Sequence, residues 1–572
     1  MGLFVLIKSG PQAEGAIARA SEVAEKRGFT NLTRRQVAGH ELLLAPKMVS
    51  PTPQLFEDAA GNFVLAAGTL FYHGMFSAPA LEQILTDAMG DGIDDAALRG
   101  SFALLTHLHG RLELIIDALG SYATYASVDD EVWSNSFLAA AAALSRRTLS
   151  SQGVYEYVFQ GATYGGDTIL RELRQLSPHR RYGITPDRID ELRPIQLDLS
   201  PRKGDLTSQL TLVRHVLNDN FAAIVRGFGD KVDTALSGGY DSRLILALLR
   251  AHGVTPEVHV YGAADDPDVK VAKAIAAGEK IALRHDDKSK HGRDDPAAIA
   301  EATEAQFWAF DGWPVDGVIG NGSDLATRRA RAADGKIALN GGGGEVFRNF
   351  FYLPNWEFTI QDMLATFYSQ FDPKVTTPRF IERAYYEALN DKMMAIFIKR
   401  RQYLSRTEVE FVYPGFRGRF WTGRNTALNN HFGPALTPFF ELNVVREAVR
   451  VPLGHKNHGV FEAALIAQID PALARYPSVY GHSFHKAPPL SRRLKDWLTY
   501  IRPPALRRVS YRWQNRFHKP QPHTWLIGNH RAAYLPQGTP VMSEFFQVGA
   551  MTDSAQLNRL LTLEYLCRRL GI

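Results

Sequence analysis

The sequence predicts two unlike halves: an α+β first half built as an antiparallel β-sandwich, and an α/β second half with a parallel sheet and a helical extension. Three observations carry that expectation. Short alternating apolar runs separated by turn residues fill residues 1–195. From about residue 230, strand-like and helix-like patterns alternate, which implies parallel pairing. Beyond 355, helical spacing dominates, with proline-rich connections. At 572 residues the chain exceeds one ordinary core. The polar stretch LDLSPRKGDLTSQ (197–209) marks the division into units 1–200 and 201–572.

In chain order, the opening MGLFVLIKSGPQAEG is too short and too soon polar for a secretion signal. Leu6 stands where a myristoylation signal wants Ser or Thr. GNFVLAAGTLFYHG, GSFALLTHLHGRLELIIDALGSYATYAS and EVWSNS read as strands. LTLVRHVLNDNFAAIVRGF has helical spacing, with Leu212, Val216, Phe221 and Ile224 on one side. VDTAL is a short strand, SRLILALLRA a helix with Leu244, Ile245, Leu248 and Leu249 on one face, and EVHVYG a strand again. This is a βαβ unit.

Composition is that of a globular protein, 45% apolar and 22% charged, with a net charge of +5. No run of about 18 apolar residues argues for a membrane span, and a cytoplasmic location is expected. The one cysteine, Cys567, excludes an internal disulfide and any cysteine metal cluster, and reads as a small buried residue. Basic residues gather in 491–519. A solvated helical face is the plainer reading; nucleic-acid binding is disfavoured because no nucleic-acid module accompanies it. Docking of an acidic peptide or partner is a third reading.

The first turn of the βαβ unit carries Ser237, Gly238, Gly239, Tyr240, Asp241 and Ser242. Glycines bring backbone N–H groups close to a ligand, and the helix start adds its positive dipole end. Ser237 and Ser242 add hydroxyl donors. Asp241 alone would repel phosphate, so its presence suggests a bridging Mg²⁺. A helix-capping turn is the competing reading; the run of six such residues favours nucleotide phosphates.

That SGG-x-DS loop resembles the pyrophosphate loop of N-type ATP pyrophosphatases. Most of the chain resembles the asparagine synthetase superfamily, which includes β-lactam synthetase and the lasso peptide cyclases. The resemblance implies ATP and Mg²⁺, cleavage between α- and β-phosphates, adenylation of a carboxylate, and displacement of AMP by an amine. It assigns Leu236, Ser237, Gly238, Gly239, Asp241, Ser242, Val260, Tyr261, Asp268 and Gly343 to the nucleotide. LNGGGGEVFRNFF (339–351) resembles the family's second glycine-rich loop and places Glu345 beside Asp241 on the metal. An ordinary helix-start acid is the alternative for Glu345. Glu441 falls at a further acidic position and reads as a structural acid receiving backbone donors. Lys456 is the nearest candidate for the family's catalytic lysine, with His455 and His458 competing.

The first half resembles a class II glutamine amidotransferase that has lost its nucleophile. Such an enzyme needs an N-terminal cysteine, and position 2 is Gly. Gly342 replaces the larger residues that synthetases carry in the second loop, which leaves room for a bulkier substrate. Lasso peptide cyclases share this combination. Macrolactam closure of a precursor peptide is therefore the leading expectation, with a leader-peptide-binding or protease partner. An amide ligase acting on another carboxylate, such as a sugar acid, with free ammonia or amine is the second. A nucleotide-binding pseudoenzyme is the third. The aromatic runs QFWAFDGWP (306–314) and FRNFFYLPNWEF (347–358) suit helix core better than a substrate wall.

Overall fold

The strand Phe63–Tyr72 shows how the first half is layered. It is buried along its whole length, and its side chains alternate between two cores. Phe63, Leu65, Ala67 and Phe71 join the large core shared with the rest of the molecule. Val64, Ala66, Leu70 and Tyr72 pack with the helix Ala78–Met89 in a separate cluster. A strand covered on both faces becomes a near-continuous apolar run, as this one is. In the computed structural model, the described residues are all but 179–180, 186–188, 193–196, 289–294, 398–401 and 518–519, with the side chains of 189–192 and 515–517 also left aside.

Phe63–Tyr72 pairs antiparallel with Leu98–Leu108, from Phe63↔His107 to Tyr72↔Leu98. The next hairpin, to Arg111–Ile116, turns at His109 and Gly110, both with positive φ. These strands belong to a seven-stranded antiparallel sheet. A second, six-stranded sheet centres on Leu3–Lys8, which lies between Val132–Ser134 and His40–Ala45. The helices Ala13–Arg27 and Phe137–Ala143 pack against it and against each other.

The helix Leu206–Phe228 leads into a five-stranded, all-parallel sheet. Its buried stripe is Leu210, Val213, Leu217, Phe221 and Ile224, and Leu212 is exposed. Starting the stripe two residues earlier keeps the three-and-four spacing, so the face anticipated from Leu212 and Val216 is rotated. The parallel strands lie in the order Leu283–Asp286, Glu257–Tyr261, Val232–Ala235, Ile337–Leu339, Ala435–Leu436. Antiparallel sheets, a parallel sheet and many helices match the mixed fold class expected from sequence. The helix Asp241–Ala251 is buried around its circumference, Leu246 and Ala247 included, because the sheet and later helices enclose it.

Polar ties join early and late segments. Asp311 accepts from Ser136 Oγ (2.8 Å) and from the N–H groups of Phe137 (2.7 Å) and Leu138 (3.0 Å), capping that helix. Buried Arg27 Nη1 stands 3.3 Å from the same carboxylate. Asn430 Oδ1 accepts from Thr69 Oγ1 (2.6 Å) and Lys47 Nζ (3.1 Å). Among the described residues no helix is long and apolar enough to cross a membrane.

Candidate functional site

The two glycine-rich loops leave adjacent strands at the point where the parallel sheet changes direction. In sheet order the strands run third, second, first, fourth, fifth, so connections diverge between Val232–Ala235 and Ile337–Leu339. Crevices at the carboxyl ends of strands open at such a switch point. Ser237–Ser242 follows the first of these strands, and 340–345 follows the second.

The loops interlock on Asp241. A Cβ on Gly344 would stand 2.3 Å from Asp241 Oδ1, and one on Gly341 3.2 Å from Asp241 Cβ. Only glycine permits that approach. Arg348 follows the second loop and donates from Nη2 to Asp241 Oδ1 at 2.8 Å and Oδ2 at 3.0 Å. Glu345 Oε1 lies 4.0 Å from the same nitrogen, and Glu462 Oε2 lies 3.2 Å from Arg348 Nε. Asp241 and Glu345, which the sequence pairs, are therefore neighbours around one guanidinium. Glu345 also accepts from Tyr413 Oη (2.7 Å) and from Gly343 N–H (3.0 Å). Tyr413 begins the π-helical segment Tyr413–Thr422, a geometry that recurs at functional sites.

Three acids around one arginine leave excess negative charge. Burial pushes the Asp241 carboxyl up, Arg348 draws it down, and Glu345 raises it again. Burial and then the Asp241 charge push Glu462 well above the usual carboxylate range. Arg348 is held well above its ordinary value: burial opposes its charge, and the three acids more than compensate. The Asp241, Arg348 and Glu345 side chains remain 23%, 20% and 28% exposed, and that of Glu462 is 0% exposed. The first three are partly exposed, and Glu462 backs them from the interior with Oε2 turned to Arg348 Nε.

Among the described residues no cluster of three or more His, Cys, Asp or Glu is arranged to hold a metal alone. Mg²⁺ ordinarily takes one or two carboxylates, with phosphates and water completing the octahedron. Asp241 and Glu345 fit that donor set.

The first loop satisfies its own amides. Ser237 N–H donates to Ser242 Oγ (3.0 Å), Gly238 N–H to Asp268 Oδ1 (2.8 Å) and Gly239 N–H to Ser237 Oγ (3.2 Å). The loop's sequence suggests donors open to a phosphate; here side chains hold them, since buried N–H groups do not stay unpaired. The segment 478–484 covers the loop. Val479 N–H donates to Gly238 O (3.2 Å), and Tyr240 stacks on Tyr480 and Phe484 with ring centroids 4.7 and 4.2 Å away. Leu236 is buried at the strand exit, its N–H donating to His259 O. Val260 is buried, and half-buried Tyr261 carries Lys288 Nζ 4.3 Å from its ring centroid. Gly343 takes φ +94 against Phe440, which a side chain would strain.

Lys456 is fully buried and donates to Glu410 Oε2 at 2.8 Å. Glu410 Oε1 also pairs with Arg406 at 2.7 Å, and Arg406 donates to Asn349, the neighbour of Arg348. Burial lowers the Lys456 ammonium, and Glu410 opposes that shift. His455 is half-buried with a ring nitrogen 3.3 Å from Gly204 O, and His458 pairs with Asp496 at 2.7 Å, so neither histidine shares this buried position. Glu441 lies elsewhere, accepting from Gly100 N–H at 3.1 Å, and burial lifts its carboxyl to about 7. It is the structural acid expected.

Gly342 does not open a pocket, contrary to expectation: a Cβ there would meet Thr422 Cγ2 at 3.0 Å. The π-helical segment occupies the space. At position 2 a Cβ would lie 2.6 Å from Pro46 O and 2.7 Å from Lys47 Cα, so a cysteine side chain there would be crowded as well. The Met1 amine is buried against Gln54 Oε1 and Ala66 O. In QFWAFDGWP, Phe307, Phe310 and Trp313 are core. FRNFFYLPNWEF begins as core at Phe347 and Phe351 and surfaces at Tyr352 and Trp356.

Sequence reasoning missed Arg348, Glu462, Tyr413 and Tyr480. Arg348 had a signal, standing three residues after Glu345. Glu462 had one too, a lone acid in the apolar helix Val460–Ile469. The other two depend on tertiary packing.

No family model matches the chain, and no curated protein matches it. Among solved structures it is similar to glutamine phosphoribosylpyrophosphate amidotransferase from B. subtilis complexed with ADP and GMP. That likeness has 9% identity and a TM-score of 0.24, covering 60% of this chain and 77% of that one. The allosteric regulatory enzyme of purine biosynthesis is similar at 10% identity and a TM-score of 0.23, covering 59% and 73%. Likeness at this level carries no functional argument.

Proposed function

We propose that the chain is an ATP-dependent, AMP-forming synthetase that adenylates a carboxylate and lets an amine displace AMP. The observation that carries this reading is the meeting of Asp241 and Glu345, one from each glycine-rich loop, around Arg348. Phosphate oxygens would replace Asp268 and the serine hydroxyls as acceptors for the loop amides. Asp241 and Glu345 would hold Mg²⁺, which supplies charge neutralisation to the departing pyrophosphate. Lys456, fully buried on Glu410, would act as a positioning residue, linked through Glu410 and Arg406 to Asn349 beside Arg348. Closing the cleft against water would protect an acyl-adenylate from hydrolysis.

The crowded space at Gly2 supports an amine that arrives with the substrate or from solution, because a cysteine Cβ there would press on the Pro46 and Lys47 backbone. Macrolactam closure of a precursor peptide is the specific form proposed, and an amide ligase using free ammonia or amine on another carboxylate is the second reading that the same observation allows. Incubation with ATP and a peptide carrying a free N-terminus and an internal Asp or Glu tests it. AMP, pyrophosphate and a product lighter by one water are expected, and Asp241→Ala abolishes all three. Release of ADP and phosphate, or full turnover by Asp241→Ala, would refute the assignment.

A further inference from the structure

The helices Leu490–Tyr500 and Pro504–Phe517 are attached to the molecule by their polar residues and turn their apolar residues outward. An amphipathic helix on a globular protein does the reverse. In the first helix Asp496 is buried against His458, and Arg492 lies over the Tyr480 ring at 4.3 Å. In the second, buried Arg507 donates to Phe351 O (2.7 Å) and Thr499 O (2.9 Å), and Tyr511 Oη to Thr366 O (2.9 Å). These contacts fix the rotation of both helices.

What faces solvent is Leu490, Leu494, Trp497 and Leu498, with Ile501 just beyond, each between 51% and 78% exposed. The positions follow a four-three-one-three spacing, one continuous stripe. Leu506, Val509 and Trp513 extend it along the second helix at comparable exposure. Basic residues flank the stripe: Arg493 and Lys495 are exposed, as is Arg512, which together with Arg508 pairs with Glu382. Across 486–516 the sequence carries nine lysines and arginines and one acid, the buried Asp496. A solvated charged face, the plainer sequence reading of 491–519, is not what the described part of this segment presents; 518–519 lie outside the described residues.

We infer that this helical pair is an interfacial anchor that lays the protein on an anionic lipid surface. Leucine, isoleucine and tryptophan on one stripe with arginine and lysine beside it is the composition that buries a helix shallowly at headgroup depth. An acidic peptide would engage the arginines and leave the leucines wet; a lipid surface takes up both. A second copy meeting this face about a two-fold axis would set like charges against each other. The anchor stands beside the nucleotide loop, since Arg492 covers Tyr480, which stacks on Tyr240. The inference does not depend on the reaction proposed above.

Co-sedimentation of the full chain with phosphatidylcholine vesicles, with and without roughly a third phosphatidylglycerol, tests the anchor. Salt-sensitive pelleting only with the anionic vesicles is expected. L494E/L498E should weaken it at least about tenfold by removing apolar insertion. R493E/K495E should do the same by at least about tenfold, at roughly fivefold per charge. All four side chains are exposed, so both variants should melt with the parent. No pelleting at low salt would overturn the inference. So would binding indifferent to L494E/L498E, the mark of an acidic partner. A dimer in light scattering that L494E/L498E dissolves would overturn it in favour of a second copy.

Discussion

Gly344→Ala is the smallest change that separates the two loops. The added methyl would stand 2.3 Å from Asp241 Oδ1 and 2.6 Å from its Cγ, where ordinary contact begins near 3.4 Å. The carboxylate must retreat by roughly 1 Å, and Arg348 holds it by two hydrogen bonds that the movement stretches. Overpacking of this kind costs about 1–3 kcal/mol. In a chain of this length that corresponds to a melting shift of about 1–3 °C, because unfolding entropy grows with size. On the reading proposed above, Asp241 displaced by that distance from its place on Mg²⁺ would lose about a hundredfold in turnover. Gly454→Ala is the matched control, since nothing lies within 4 Å of its added carbon. Calorimetry reads stability, and AMP release in the presence of ATP and substrate reads turnover. If Gly344→Ala melts with the parent and keeps turnover within about threefold, Asp241 is not pinned between the loops as described.

Three other outcomes are expected. Gly2→Cys should lose about 1–3 kcal/mol, because its Cβ meets backbone atoms that cannot rotate away, and should release no ammonia from glutamine; ammonia release would show the position to be open. Lys456→Met should lower stability in urea titrations by up to about 3 kcal/mol, since Glu410 keeps only Arg406, and E410Q/K456M should recover part of the loss. Glu441, lifted from 4.5 to about 7 on folding, binds its proton more tightly in the folded chain, so its contribution is complete below pH 4.5 and declines as pH rises through 7. Denaturant titrations should show about 3 kcal/mol of decline by pH 8 that Glu441→Gln removes; an unchanged slope in that variant would assign the decline to other groups.

The parallel sheet is legible in the sequence because βαβ units announce themselves locally: an apolar strand, a glycine turn, a helical stripe. The turn at 237–242 and the loop at 341–345 are readable for the same reason. Their adjacency is not, because it depends on strand order, and periodicity does not encode which strands become neighbours. The helix Leu206–Phe228 is recognisable as a helix, and Phe221 and Ile224 are buried as read, but the start of the face is not legible, since Leu212 and Leu210 are chemically alike and only packing distinguishes them. Gly342 misleads in a different way. An absent side chain suggests space, yet Thr422, from a distant part of the chain, decides whether that space exists. Inverted helices such as Leu490–Tyr500 defeat sequence reading altogether, since the pattern records a stripe and not the direction it faces.

The Asp311 cap has a consequence for how the chain comes apart. A carboxylate from the second half supplies three acceptor contacts at the start of Phe137–Ala143, and Arg27 from the first half neutralises it. Neither partner can leave without stranding the other in an apolar interior. The early and late halves are thus tied by a buried charge pair, and a chain cleaved within 197–205 should still melt in one transition.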